Sequence, residues 1–179
     1  MAKPSDDPQF YLLPPPPGRS RESTIRLDAS GRFLHSAEPV EHEGLARAMH
    51  SWIGRHPIDG RFILVNGYDW TYFSVDDVPC FIDAIAGDVD APELVLRDGS
   101  REPWRGDGLY VGANDALYTW VKHGALGGPF LAKFEPGSQL QLAPWLHEVA
   151  GAPVVVLRGR PVPMGARADV QAVRALAQA

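Results

Sequence analysis

The chain has 179 residues, 45% of them hydrophobic, enough for one domain or two small ones that bury roughly 70% of the unfolded surface without a disulfide or metal staple. Its formal net charge of −5 argues against nucleic acid as a partner, because phosphate-neutralising surfaces carry a basic stripe. The N-terminus lacks the basic start and apolar core of a signal peptide, no run approaches the ~20 apolar residues that span a bilayer, and a lone cysteine gives no support to an oxidising compartment, so the reading is a cytoplasmic protein with no membrane partner.

The 17 prolines and 18 glycines predict many short elements rather than long helices. Residues 1–22 read as a proline-rich arm, with polyproline II over Pro14 to Pro17 and with Phe10, Tyr11, Leu12 and Leu13 pinning it to the body. Residues 23–90 read as an N-terminal α+β lobe. It opens with a hairpin about Ala29-Ser30-Gly31, where Asp28 supplies turn chemistry. An amphipathic helix follows, with Leu45, Met49, Trp52 and Ile53 on one face and Pro57 as its stop. The strongest local signal comes next, because Asn66-Gly67 sits between two β-favouring runs and marks a two-residue hairpin loop. That register sets Val65 opposite Tyr68, Ile63 opposite Trp70 and Arg61 opposite Tyr72, with Leu64, Phe62, Thr71, Phe73 and Val75 on the other face. Both faces are apolar, so the helix is expected over one and a second layer of chain over the other. Cys80 reads as a small buried hydrophobe.

Residues 91–164 read as a second α+β lobe, after a boundary near Asp88 to Pro92. Asp98-Gly99 marks another hairpin, Leu109-Tyr110-Val111 a short strand, and Ala113 to Gly124 a helix started by Asn114 in slight preference to a strand. A strand over Phe130 to Glu135, a helix interrupted at Pro144 within Ser138 to Ala150, and a strand over Val154 to Arg158 complete it. Residues 165–179 read as a terminal helix or tail. The fold class is therefore α+β, in two small lobes with repeated hairpin and helix motifs and antiparallel sheets.

The run Gly31-Arg32-Phe33-Leu34-His35-Ser36-Ala37-Glu38-Pro39-Val40, followed by Leu45 at the helix start, then Leu64-Val65 and Val75-Asp76-Asp77-Val78-Pro79, resembles the pattern of the bacterial DUF1285 family. The resemblance covers roughly residues 23–160 and is best in the first lobe. It implies an α+β fold with a duplicated motif, a second lobe similar to pleckstrin-homology folds, a ligand site between the lobes, and a role in signalling or regulation. The chain departs from that pattern in its Asn-Gly turn and in the more aromatic run Tyr68 to Phe73.

No HExxH, GxSxG, CxxC, Walker loop or GxGxxG after a strand occurs, so no catalytic residue, metal ligand set or cofactor is read from the chain. The candidate binding residues are His35, Tyr68, Trp70, Tyr72 and Asp76, with Arg97 and Trp104 from the second lobe. Tyr68, Trp70 and Tyr72 alternate onto one strand face, an arrangement that grips a flat ligand or a peptide and equally serves packing. The expected role is non-catalytic binding of a small molecule or a protein partner between the lobes. The rival readings are a metal-assisted hydrolase using His35 or His42, with Glu38, Glu41 or Glu43 nearby, and a homo-oligomer joined through sheet edges.

Overall fold

The computed structural model describes residues 3–168. The chain divides into two units, Met1–Pro79 with Gly124–Pro129 and Cys80–His123 with Phe130–Ala179. The fold is α+β. No helix among the described residues is long and apolar enough to cross a membrane. The expected terminal helix or tail over 165–179 lies mostly outside the described residues.

In the first unit, β1 (Ile25–Leu27), β2 (Phe33–His35), β3 (Glu38–Pro39) and β7 (Ser74–Val75) form one sheet in the order β3-β2-β1-β7. The β1–β2 hairpin forms where the turn residues placed it, with Arg26 opposite Leu34. Asp28 closes its loop, accepting from the Ser30 N–H at 2.9 Å, the Ser30 hydroxyl at 2.7 Å, the Arg32 N–H at 2.9 Å and Arg32 Nε at 3.1 Å. Burial works against the carboxylate, yet these hydrogen bonds outweigh it and hold the carboxyl down at about 2. A depressed carboxyl contributes stability above its unfolded value, here 3.8, and that contribution is lost as pH falls toward 2. Asp28→Asn is therefore expected to flatten the fall in stability across this window, read from urea midpoints at a series of pH values. An unchanged slope would assign the acid sensitivity to other groups.

The helix α1 (Glu43–Ser51) is capped by His42, whose Nδ1 accepts from the Leu45 N–H at 3.1 Å. It ends earlier than Pro57 led us to expect. Ile53 belongs instead to β4 (Ile53–Arg55), which pairs antiparallel with β5 (Phe62–Val65), and β5 pairs with β6 (Trp70–Tyr72). A β-branched residue followed by glycine propagates a helix poorly and pairs well in a strand, so the ladder to β5 wins.

The β5–β6 hairpin has a four-residue loop rather than the expected two. Val65 faces Trp70, Leu64 faces Thr71 and Ile63 faces Tyr72. Asn66 is the cause, since its Oδ1 accepts from the N–H groups of Tyr68 and Asp69, both at 2.9 Å, and spends the turn on side-chain bonds. The slip is two residues, so every strand side chain keeps its expected face. The face carrying Ile63 and Trp70 is covered by Phe10 and Tyr11 of the arm and by Leu126. The arm reaches it through a 3-10 turn over Pro8–Leu12, and Leu12 and Leu13 remain exposed rather than pinned. On the opposite face Phe62 meets Phe73, Phe73 meets Phe33 and Phe33 meets His50 of α1, with ring centroids 6.0, 6.0 and 4.8 Å apart.

The second unit holds a seven-stranded sheet in the order β10-β9-β8-β13-β12-β11-β17. Its strands are β8 (Cys80–Asp88), β9 (Ala91–Leu96), β10 (Arg101–Pro103), β11 (Leu109–Val111), β12 (Leu117–Val121), β13 (Phe130–Phe134) and β17 (Met164–Ala166). The stretch Asp88 to Pro92, expected as a domain boundary, is the tight turn of the β8–β9 hairpin, where Asp88 pairs with Ala91. Within Ala113 to Gly124 the chain makes a 3-10 turn at Ala113–Asp115 and then the strand β12, not the expected helix. β12 is paired on both edges, to β11 and to β13, and buries Tyr118, Thr119 and Val121. The sheets are mixed rather than purely antiparallel, since β1–β7, β11–β17 and β8–β13 run parallel.

The expected helix over Ser138 to Ala150 shrinks to α2 (Pro136–Leu140) and a 3-10 turn at Ala143–Trp145. The chain then enters β14 (Leu146–Val149), which pairs with β15 (Ala152–Leu157), itself paired with β16 (Arg160–Pro161). Pro144 accounts for the break, because it cannot donate within a continuous helix.

Candidate functional site

A cavity of about 460 Å³ opens in the first unit, and each of its walls follows from local sequence. Leu45, Met49 and Trp52 lie at i, i+4 and i+7, so α1 and its C-cap present them together. Leu45 is 43% exposed at the edge, while Met49 is buried. Strand alternation turns Leu64 of β5 to the same space, and Thr71 and Trp70 of β6 border it. Ile25 and His35 come from β1 and β2, and the arm closes the remaining side with Pro16 and Arg19 to Arg21.

Arg21 is the polar centre of this site. Its Nη1 donates to the Trp70 carbonyl at 2.7 Å and to the Asp69 carboxylate, and its guanidinium lies 4.4 Å from the Trp70 ring centroid. Its Nη2 is 3.4 Å from the carbonyl oxygens of both Leu13 and Pro14, fastening the arm. Its own carbonyl accepts from the Tyr72 N–H at 2.7 Å and the Thr71 hydroxyl at 2.8 Å. The Asp69 oxygen facing Arg21 also accepts the Trp70 N–H at 2.9 Å. Two buried donors on cavity-lining residues have no partner among the described residues, Arg21 Nε and the Trp70 indole N–H. A buried donor without a partner costs about 1–3 kcal/mol, so such pairs mark a place where an acceptor is expected.

Of the residues singled out by sequence, His35 and Trp70 meet at this cavity. Tyr68 does not join them. It sits in the hairpin loop, 73% exposed, because the register slip removes it from the strand. Tyr72 keeps its strand face and donates its hydroxyl to Asp59 at 2.7 Å under the Arg61 guanidinium, 3.7 Å from the ring centroid. Burial and that bond to a carboxylate push the phenol up to about 12. Asp76 is exposed and lies 3.2 Å from Arg26. Arg97 and Trp104 both belong to the second unit. Arg97 pairs there with Asp83 at 2.8 Å and Glu135 at 3.0 Å, and Trp104 is a core residue, 1% exposed.

Among the histidines, His42 is committed to capping α1. His50 is buried with Nε2 3.1 Å from the Gly31 carbonyl, and His56 is buried with Nε2 3.3 Å from the Tyr11 carbonyl. Among the described residues no group of three His, Cys, Asp or Glu side chains is placed to hold a metal ion. Sequence reasoning missed Arg21, Arg19, Leu64 and Met49 as site residues. The one available signal was the basic pair following the proline run, and its partners lie 48 and 49 positions away in sequence.

No family model matches the sequence, and no curated protein does. Two solved structures do. A DUF1285 family protein from Silicibacter pomeroyi DSS-3 superposes with a TM-score of 0.63 over 89% of this chain and 87% of its own, at 18% identity. The chain has the DUF1285 fold. A second DUF1285 family protein, from Shewanella baltica OS155, superposes with a TM-score of 0.51 over 69% of this chain and 93% of its own, at 14% identity. At such identities the likeness is one of fold, and the DUF1285 family is also the one that the Gly31 to Leu45 pattern resembles.

Proposed function

We propose that this DUF1285-like chain is a non-catalytic binding protein whose first-unit cavity takes a small, largely apolar ligand carrying a hydrogen-bond acceptor. The observation that carries the reading is the pair of unpartnered buried donors, Arg21 Nε and Trp70 Nε1, on residues that border the cavity with the apolar Ile25, Leu45, Met49, Trp52 and Leu64. The volume of about 460 Å³ falls within the range of small-molecule sites. The role is regulatory, of a signalling type, in a cytoplasmic setting. Its physical basis is that Arg21 borders the cavity and also fastens Leu13 and Pro14 of the arm, so a ligand that engages Arg21 shifts the arm between held and released states.

The test is thermal unfolding of the full chain against a panel of aromatic and medium-chain compounds, with and without a carboxylate. A ligand at 100 times its Kd is expected to add about 2.7 kcal/mol. Leu45→Trp fills the cavity from an already exposed helix position, so it is expected to fold and to abolish the shift. A panel without any shift, or a shift that survives in Leu45→Trp, would overturn the assignment to this cavity.

A further inference from the structure

A separate cavity of about 430 Å³ lies in the second unit, between the segment Trp104 to Gly106 and the β15–β16 hairpin. The two pieces of chain meet closely, since a Cβ added at Gly106 would stand 2.8 Å from Leu157 and 3.4 Å from Val162. The hairpin turns through Arg158-Gly159, both at positive φ, the geometry of a type I′ turn, with Leu157 paired to Arg160. That turn presents Arg158 and Arg160 beside the cavity that Arg105 borders from the other piece. Three arginines thus border one space, and no acidic residue does.

Five other arginines are placed differently. Arg21, Arg26, Arg32, Arg61 and Arg97 each stand in an ion pair. Arg105, Arg158 and Arg160 have no ion pair among the described residues, although the chain carries 22 acidic residues against 17 basic ones. Among the described residues these three guanidinium groups make a single hydrogen bond, from Arg158 Nε to the Asp90 carbonyl at 3.2 Å, which leaves both Nη groups of Arg158 available. Three like charges gathered at one exposed place raise the local positive potential and favour an anion there.

We propose that this cavity binds a phosphate monoester. Guanidinium forks match the tetrahedral oxygens of a dianionic phosphate and hold them through charge-assisted hydrogen bonds. Leu157, Val162 and Trp104 border the cavity and supply an apolar wall for the group that the phosphate carries. The same headgroup chemistry comes from a soluble metabolite or from a lipid, and the experiment separates the two sources.

The measurement is calorimetric titration of the full chain with inorganic phosphate, adenosine monophosphate and glucose 6-phosphate, alongside co-sedimentation with phosphatidylcholine vesicles containing phosphatidic acid. Arg158→Ala and Arg160→Ala alter exposed turn positions and are expected to fold, and each is expected to weaken binding by about 10-fold or more. Affinity is expected to rise with pH through about 6, as the monoester takes its second charge. Binding of the soluble esters assigns the source to metabolites, and binding confined to the vesicles assigns it to a lipid headgroup. Absence of binding to every probe at millimolar concentration, or equal binding by wild type and both variants, would overturn the proposal.

Discussion

Replacing Lys122 with methionine is expected to lower stability by about 3 kcal/mol, because it strands a buried carboxylate. Lys122 directly follows β12, and its Nζ donates to Asp98 Oδ2 at 2.6 Å, with the two side chains only 14% and 6% exposed. Its main-chain N–H lies 3.0 Å from both carboxylate oxygens of Glu102, so two acids converge on one ammonium-bearing residue. Asp98 also accepts the Ser100 N–H at 2.9 Å and hydroxyl at 2.6 Å. Burial works against the Asp98 carboxylate, but the bonds from Lys122 and Ser100 win and hold its carboxyl below the usual range. A depressed carboxyl contributes its stability at neutral pH and loses it as acid protonates it, so the deficit of Lys122→Met is expected to shrink on acidification. The neighbouring Cys80 thiol is pushed up to about 12 by burial, and the lysine works against that shift. Urea midpoints of Lys122→Met, Asp98→Asn and the double variant close the cycle, and the double variant is expected to recover part of the loss. A single-variant loss below about 0.5 kcal/mol, the level of an exposed pair, would show that this pair is solvated.

Trp104→Ala is expected to cost about 3–5 kcal/mol, the range for emptying a buried aromatic site that cannot collapse. The indole packs edge-on against Phe134 at 5.8 Å and Trp145 at 6.4 Å between centroids, and its N–H reaches the Thr119 hydroxyl at 3.4 Å. Thr119 in turn donates to the Gly108 carbonyl at 2.6 Å, so its hydroxyl stays satisfied when the indole goes. Trp104→Phe keeps a ring against Phe134 and loses only that long hydrogen bond, so it is expected to cost about 2 kcal/mol or less. Equal losses for the two variants in urea unfolding would mean that indole volume is not what holds this part of the core.

Several features were legible because they are local. Apolar spacing located α1, and its face carries Leu45, Met49 and Trp52 to the cavity that the sequence could not itself outline. Turn residues located the hairpins at Gly31, Asn66 and Asp98. The faces of β5 and β6 were right even where the register was not, because a slip of two residues preserves the alternation. Errors arose where a local preference met a non-local partner. Leu117–Val121 has a sequence that suits either element, and strands on both of its edges made it β12. The polar run Asp88 to Pro92 looked like a linker and is a hairpin turn, which the antiparallel ladder between β8 and β9 alone decides.

The candidate site divides in the same way. His35 and Trp70 were named from their residue types, and their meeting depends on strand pairing across the first unit. Arg21 carried no signal beyond its place in the basic pair after the proline run, because its partners Asp69 and Trp70 lie 48 and 49 residues on. Periodicity and turn chemistry act over a few residues, and so the sequence by itself determined the α+β class, the hairpins at its turn residues, α1 and the faces of β5 and β6. Which strands pair, which aromatic rings become core and which arginines share a cavity are set by contacts between distant segments, where burial and charge are decided by neighbours that only the tertiary structure brings together.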